Sequence, residues 1–135
     1  MSLNILIVDD CPIMRMVIRR TLNMCEFELG EVIEAGDGKE GLDWMKTIDF
    51  DFVVADLNMP VMTGAEMIAT MRTDPKTDAI PVLAVSAESN DSRVNVISSL
   101  VNGFVHKPFR VEVLRDKIFK VLSKEAIIVK PKAEQ

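Results

Sequence analysis

Five short apolar runs alternate along this chain with segments of helical periodicity, and this alternation constrains the fold more than any other feature. Because the runs are continuously apolar, each is predicted to be a strand that is covered on both faces. Strands of this kind, separated by helices, are typical of an α/β fold in which a parallel sheet carries helices on both faces. The predicted strands span residues 3–8, 32–35, 52–55, 80–85 and 104–106.

The segments between and after the strands have the spacing of amphipathic helices. They cover residues 12–25, about 39–47, a Thr63-capped segment to about 72, about 90–100, and 110–122. In the first helix the apolar residues recur on one side, and Arg15, Arg19 and Arg20 take the other side. Trp44, in the second helix, is predicted to be partly exposed.

Length and composition limit the class of protein. The chain has 135 residues, 48% of them hydrophobic, and a formal net charge of -5. We expect one domain over residues 1–123, which needs no disulfide or structural metal, and a flexible tail over residues 124–135. The acidic balance argues against direct binding to nucleic acid. The absence of metal-type cysteine spacing, signal peptide and membrane-spanning run predicts a cytoplasmic protein without membrane insertion.

Polar side chains occur where the predicted strands end. Asp9 and Asp10 follow the first strand, Asp56 the third, Ser86 the fourth and Lys107 the fifth. In open parallel sheets, ligands bind beyond the carboxyl ends of the strands, where the strand order switches. We therefore expect these five side chains to share one crevice.

Three carboxylates in one crevice repel one another unless a cation neutralises them. The predicted ligands are oxygens, which favour a hard ion such as Mg2+ over zinc or copper. A cation, the Lys107 ammonium and the Ser86 hydroxyl all suit a bound phosphoryl group, and Asp56 is placed to attack it. Carboxylates do accept phosphoryl groups as aspartyl phosphates.

Four motifs occur in order: Asp9-Asp10, Asp56-Leu57-Asn58-Met59-Pro60 with Gly64, Ser86-Ala87-Glu88, and Lys107-Pro108-Phe109. Together they resemble the receiver domains of two-component response regulators, and most of all the stand-alone chemotaxis type, CheY. The resemblance extends over about residues 4–122. It implies a doubly wound, flavodoxin-like sheet of order 2-1-3-4-5, of which CheY is itself a known example.

The resemblance also implies roles at the metal site. Asp56 corresponds to the phosphoacceptor, Asp10 to a direct Mg2+ ligand and Asp9 to a ligand acting through water. The main-chain carbonyl of Asn58 completes the protein ligands. Asn58 lies two residues after the phosphoacceptor, and asparagine at this position resembles the chemotaxis type. The resemblance implies that Asn58 influences the rate of self-hydrolysis.

Further residues take switching and tuning roles by the same resemblance. Lys107 pairs with the phosphoryl group, and its bond to Pro108 is expected to be cis. Ser86 is the switch hydroxyl and Phe104 the aromatic switch, at a position where many receivers have tyrosine. Ala87 follows Ser86 in the motif, and Glu88 resembles the chemotaxis type and implies a comparatively short-lived phosphoryl group.

The function implied is a phosphorylation-controlled switch rather than a conventional enzyme. It accepts a phosphoryl group from a sensor histidine kinase or a phosphotransfer protein, changes conformation, binds a downstream protein, and promotes its own dephosphorylation. The output surface in the family is formed by the fourth helix, the fifth strand and the fifth helix, which would contact a downstream protein or a second copy. One alternative is the receiver half of a transcription regulator separated from its DNA-binding domain. Another is a small hydrolase with an Asp nucleophile, which would need Asp where this chain has Asn58.

Overall fold

The computed structural model describes residues 2–87, 91–125 and 127, with the backbone alone for residues 91–94. Five strands and five helices alternate along these described residues. The strands are β1 (Leu3–Val8), β2 (Leu29–Ala35), β3 (Phe52–Ala55), β4 (Val82–Ser86) and β5 (Gly103–His106). The helices are α1 (Pro12–Asn23), α2 (Gly38–Met45), α3 (Gly64–Thr73), α4 (Asp91–Ser98) and α5 (Val111–Lys124).

The strands form one parallel sheet of order β2-β1-β3-β4-β5, which confirms the predicted fold class and strand order. The register aligns the carboxyl ends of the central strands. Val8 of β1 lies opposite Ala35 of β2 and Ala55 of β3, and Ala55 lies opposite Ala84 of β4. Residues that follow these positions therefore emerge at one edge of the sheet.

Alternate residues of the sheet supply two hydrophobic clusters, one on each face. In β1, Ile5 and Ile7 pack with residues of α1 and α5 on one face, whereas Leu6 and Val8 pack with residues of α2 and α3 on the other. All four of these β1 side chains are fully buried. Each contributes about 1.5–3 kcal/mol of burial free energy, so a strand with both faces covered is strongly favoured here.

Local signals set the helix ends. Pro12 occupies the first turn of α1, where its missing N–H costs nothing. The Asp37 side chain caps α2, and Thr63 forms a capping box with Glu66 at α3. Trp44 is 38% exposed, as expected.

Element boundaries differ from the expectation by a few residues. β2 starts at Leu29 rather than residue 32, and β4 starts at Val82 rather than residue 80. At the end of the domain, α5 continues to Lys124, and the Ile127 amide donates a hydrogen bond to the Leu122 carbonyl, 2.9 Å away. The remaining residues of the expected tail, 126 and 128–135, lie outside the described residues. Within the part of the chain that is described, no helix has the length and apolar character to span a membrane.

Candidate functional site

The carboxyl edge of the sheet collects the polar side chains that follow the strands. The Asp9 amide donates to the Ala35 carbonyl at 3.0 Å, and the Asp56 amide donates to the Val8 carbonyl at 2.8 Å. These backbone bonds extend the ladders by one residue beyond β1 and β3. Both carboxylates are thus held by the sheet, with Asp9 fully buried and Asp56 only 7% exposed.

Lys107 connects the two carboxylates. Its Nζ lies 2.9 Å from Asp9 Oδ2 and 3.1 Å from Asp56 Oδ2. The Lys107 amide donates to the Ser86 carbonyl at 2.9 Å, and the Lys107–Pro108 peptide bond is cis. The ammonium therefore lies between the ends of β1, β3 and β5, where it forms ion pairs with both buried carboxylates.

Asp10 adds a third carboxylate to this cluster. One oxygen from each of Asp9, Asp10 and Asp56 lies within 4.8 Å of the others, and Asp10 is exposed. Three closely spaced carboxylates with one ammonium leave uncompensated negative charge. An all-oxygen donor set of this size and charge fits a hard divalent cation such as Mg2+, which keeps several waters of its own.

The remaining oxygens of the two buried carboxylates accept backbone hydrogen bonds. Asp9 Oδ1 accepts from the Cys11 amide at 2.9 Å, and Asp56 Oδ1 accepts from the Asn58 amide at 3.2 Å. These bonds fix the side-chain rotamers. The Asn58 bond also ties the loop after β3 to the carboxylate that precedes it.

The charges of the cluster shift the pKa values of Asp9 and Lys107. Burial raises the pKa of Asp9, and the Asp56 charge adds to this, while the Cys11 amide and Lys107 only partly oppose it. Burial lowers the pKa of Lys107, but Asp9 and Asp56 outweigh that effect, so its pKa is raised overall. Lys107 is therefore held protonated, and the carboxylates have more negative charge than one ammonium neutralises.

The residues with expected switching roles lie along β4 and β5. Ser86 is fully buried at the end of β4 and lies opposite His106 in the sheet register. Phe104 is half-buried, and its ring centroid is 4.6 Å from that of His106. Ala87 is exposed. Glu88 lies outside the described residues.

The loop after β3 approaches α3 closely. The Gly64 amide donates to the Leu57 carbonyl at 3.1 Å, and a Cβ on Gly64 would overlap the Asp56 carbonyl oxygen. In the same loop Val61 has a φ of 67° and is 80% exposed. A β-branched residue in this left-handed region is strained.

Sequence reasoning missed one side chain at this edge. The helical pattern places Arg15 on the side of α1 opposite the apolar residues, but its Nη1 donates to the Asp9 carbonyl at 2.6 Å. Its Nε donates to Glu34 of β2 at 2.9 Å. Its position in the sequence could have indicated this contact. Arg15 lies near the start of α1, and α1 begins directly after the acidic pair.

The family model of the response regulator receiver domain matches residues 5–119 of this chain. The chain belongs to that family. Among curated relatives, this receiver domain is 39% identical to the chemotaxis protein CheY of Pseudomonas aeruginosa over 123 residues, which is 90% of this chain and 98% of that protein. It is 36% identical to the chemotaxis protein CheY-3 of Vibrio cholerae over 124 residues, covering 91% of this chain and 94% of the relative.

Solved structures agree with this assignment. The receiver domain superposes on the chemotaxis response regulator CheY4 of Vibrio cholerae with a TM-score of 0.80 and 30% sequence identity, covering 90% of this chain and all of that one. The resemblance to CheY-like receivers is thereby confirmed, together with the doubly wound fold. The individual residue roles at the carboxyl edge stay predictions.

Proposed function

We propose that this receiver domain is a phosphoacceptor switch in which Asp56 receives a phosphoryl group from a histidine kinase or a phosphotransfer protein. The observation that carries the proposal is the Lys107 ammonium, held 3.1 Å from Asp56 Oδ2 and 2.9 Å from Asp9 Oδ2 within a cluster of three carboxylates. This arrangement provides a nucleophile and cationic stabilisation at one point. The family match favours this function over the small-hydrolase alternative.

Four residues would hold Mg2+: Asp9, Asp10, Asp56 and, through its carbonyl, Asn58. When bound, the ion supplies positive charge that offsets the carboxylates and the incoming phosphoryl oxygens. Both carboxylate oxygens of Asp9 already accept hydrogen bonds, from the Cys11 amide and from Lys107. Both oxygens of Asp56 do so as well, from the Asn58 amide and from Lys107. The exposed Asp10 would therefore be the carboxylate most open to direct contact with the ion, and contact through water at Asp9 rests on the resemblance alone.

In the transfer step an Asp56 carboxylate oxygen attacks the phosphorus of a phosphohistidine. A new O–P bond forms, the N–P bond breaks, and the electron pair left on the imidazole nitrogen takes a proton from solvent. Lys107 is positioned to stay within reach of the phosphoryl oxygens, because its ammonium already contacts Asp56. Charge-assisted contacts of this kind are among the stronger polar interactions available to the product.

The phosphoryl group would then act on β4 and β5. Ser86 is at the end of β4, the strand next to β3, so its hydroxyl is the neighbouring donor for the new oxygens. Movement of Ser86 toward the phosphoryl group would change the space available to Phe104 of β5, which lies opposite Ala84 of β4. A phosphoryl group drives such a shift by adding charge and acceptor oxygens.

The output surface in this proposal is formed by α4, β5 and α5, where it would bind a downstream protein or a second copy. Val96 of α4 is 69% exposed and Val113 of α5 is 45% exposed. Apolar side chains at both helices favour a protein partner for this face. Asn58 and Glu88 would set the rate of self-dephosphorylation, after which the surface returns to its resting form.

The proposal is tested by intact-mass spectrometry after incubation with a small phosphoramidate donor, with Mg2+ and with chelator. The wild type should gain a single phosphoryl group only when Mg2+ is present, and Asp56→Asn should gain none. Asp51→Asn is the matched control, because Asp51 lies just before the other end of β3 and accepts a hydrogen bond from the Asn4 amide. Addition that survives in Asp56→Asn, or that needs no Mg2+, would contradict the proposal.

A further inference from the structure

We propose that Arg15 is a positioning residue for the Mg2+-binding carboxylates. Its guanidinium, anchored on Glu34, holds the main-chain carbonyl of Asp9 and thereby fixes the Asp9-Asp10 segment in the conformation that binds the ion. This inference rests on the proposed function, because it concerns the same metal site.

The contact between Arg15 and Asp9 is short and sheltered. Arg15 Nη1 lies 2.6 Å from the Asp9 carbonyl oxygen, and the Arg15 side chain is only 19% exposed. Asp9 stands where the chain leaves the sheet, so its carbonyl is held by a side chain of α1 instead of by the ladder of β1. A hydrogen bond from an ionised donor is stronger than one between neutral groups.

Glu34 fixes the direction of the Arg15 guanidinium. Glu34 Oε1 accepts from Arg15 Nε at 2.9 Å, and Glu34 Oε2 accepts from Arg19 Nε at 2.8 Å. With an arginine on each oxygen, the carboxylate cannot rotate without losing one of the two bonds. The fork geometry of Arg15 then presents Nη1 to Asp9 while Nε stays on Glu34.

Holding the Asp9 carbonyl also orients Asp10. The Asp9 carbonyl and the Asp10 amide belong to one planar peptide unit, so restraining that plane restrains the direction in which Asp10 leaves the backbone. Asp10 is exposed, and its own surroundings restrain it less than those of the buried Asp9. Without Arg15, ion binding must first order this segment, which lowers the affinity.

Coulomb's law alone predicts the opposite sign. Arg15 carries positive charge next to a cation site, and deleting that charge should strengthen Mg2+ binding if Arg15 acted only through its charge. A positioning role predicts that Mg2+ binding weakens. The direction of the change therefore separates the two roles.

Arg19 provides the matched control. It lies one turn along the same helix, carries the same charge and shares Glu34, but its other hydrogen bond goes to the Val32 carbonyl at 3.0 Å. Arg19→Ala therefore removes the same charge and frees one oxygen of Glu34, but both Arg15 bonds, to Glu34 Oε1 and to the Asp9 carbonyl, stay in place. Arg15→Lys keeps the charge but loses the fork that serves both acceptors.

The experiment measures the Mg2+ dissociation constant by isothermal titration calorimetry on the full chain, for wild type, Arg15→Ala, Arg15→Lys and Arg19→Ala. Far-UV circular dichroism establishes that each variant is folded. Arg15→Ala should raise the dissociation constant about 10-fold, in the range seen for residues that support metal ligands. Arg15→Lys should also raise it several-fold, and Arg19→Ala should change it less than about 2-fold.

Unchanged or tighter binding in Arg15→Ala would overturn the inference, and so would equal weakening in Arg19→Ala. If Arg15→Ala does not fold, Arg15→Lys decides, and wild-type affinity in that variant overturns the inference. None of these results affects the proposed function, as long as the wild type binds Mg2+ and accepts a phosphoryl group. A wild type that binds no Mg2+ would refute the proposed function and this inference together.

Discussion

Gly64→Ala should be among the most destabilising single-methyl changes in this receiver domain. The added Cβ would overlap the Asp56 carbonyl oxygen, lie 2.7 Å from the Asp56 carbonyl carbon and lie 3.0 Å from the Leu57 Cα. All of these atoms are backbone, so no side-chain rotation can relieve the overlap. The strand end that carries Asp56 and the start of α3 must instead move apart.

The structure sets the size of the effect. Overpacking in a well-packed site costs about 1–3 kcal/mol, and the upper end applies because the neighbours are backbone. The shift also weakens the 3.1 Å hydrogen bond from the Gly64 amide to Leu57, which costs about 1 kcal/mol more. We expect a loss of about 3 kcal/mol or more in the free energy of unfolding, which lowers Tm by about 10 °C in a domain of this size.

The assay is urea denaturation followed by far-UV circular dichroism. Gly36→Ala is the matched control, since its Cβ would lie 3.7 Å from Glu40 Oε2 and 4.0 Å from Arg15 Nη1, which are ordinary contact distances. Neither glycine has a positive φ, so backbone strain does not distinguish the pair. A Gly64→Ala variant within about 0.5 kcal/mol of Gly36→Ala would refute the steric argument.

Three further predictions concern stability and can be measured by the same denaturation assay. Val61→Asn should raise the free energy of unfolding by about 1 kcal/mol, because asparagine tolerates the φ of 67° better than valine does. Thr63→Ala should lower it by about 1 kcal/mol by removing the cap of α3, and Thr63→Ser should restore most of the loss. Burial opposes the shift, but hydrogen bonds from Arg19 and Arg15 lower the pKa of Glu34 below its ordinary 4.5. Glu34 therefore stabilises the fold above pH 4.5, and this contribution is lost as pH falls through the lowered pKa, so Glu34→Gln should flatten the acid side of the stability profile. A less stable Val61→Asn, an unaffected Thr63→Ala, or an unchanged pH profile in Glu34→Gln would contradict the respective argument.

The central strands could be predicted from the sequence because burial on both faces leaves a continuous apolar run. β3 has the predicted bounds, and all four of its residues are buried. β2 is an edge strand, and it begins with Leu29, Gly30 and Glu31, of which Gly30 and Glu31 are exposed. A pattern search for apolar runs misses such a start, since an edge strand needs fewer buried side chains.

The end of α4 and the loop that follows depend on contacts between distant segments. Asn102 pairs with Val82 through its amide at 2.8 Å and its side-chain oxygen at 2.9 Å. Arg72 of α3 donates to the carbonyls of Leu100 and Ile80, at 2.9 and 2.8 Å. Local propensity does not reflect these tertiary hydrogen bonds. The sequence therefore predicts that α4 ends near residue 100, whereas it ends at Ser98.

The candidate site also contains residues that the sequence predicts and one that it does not. The acidic residues and Lys107 could be predicted to converge because each follows a strand, and the parallel topology brings those ends together. Arg15 could not, because a helical wheel separates buried from exposed positions but does not show that a long side chain turns back toward a strand end. The arginine is directed by Glu34 of β2, which is 19 residues away in the sequence.

Phosphorylation of Asp56 can be tested directly. The direct measurement is to phosphorylate the protein with phosphoramidate and Mg2+, reduce it with borohydride, and map the peptides by mass spectrometry, since an acyl phosphate is reduced to an alcohol at the carboxyl that carried it. We expect homoserine at position 56 and unmodified aspartate at Asp9 and Asp10. Reduction at Asp9 or Asp10, or a peptide containing Asp56 that remains unmodified after stoichiometric phosphorylation, would contradict it.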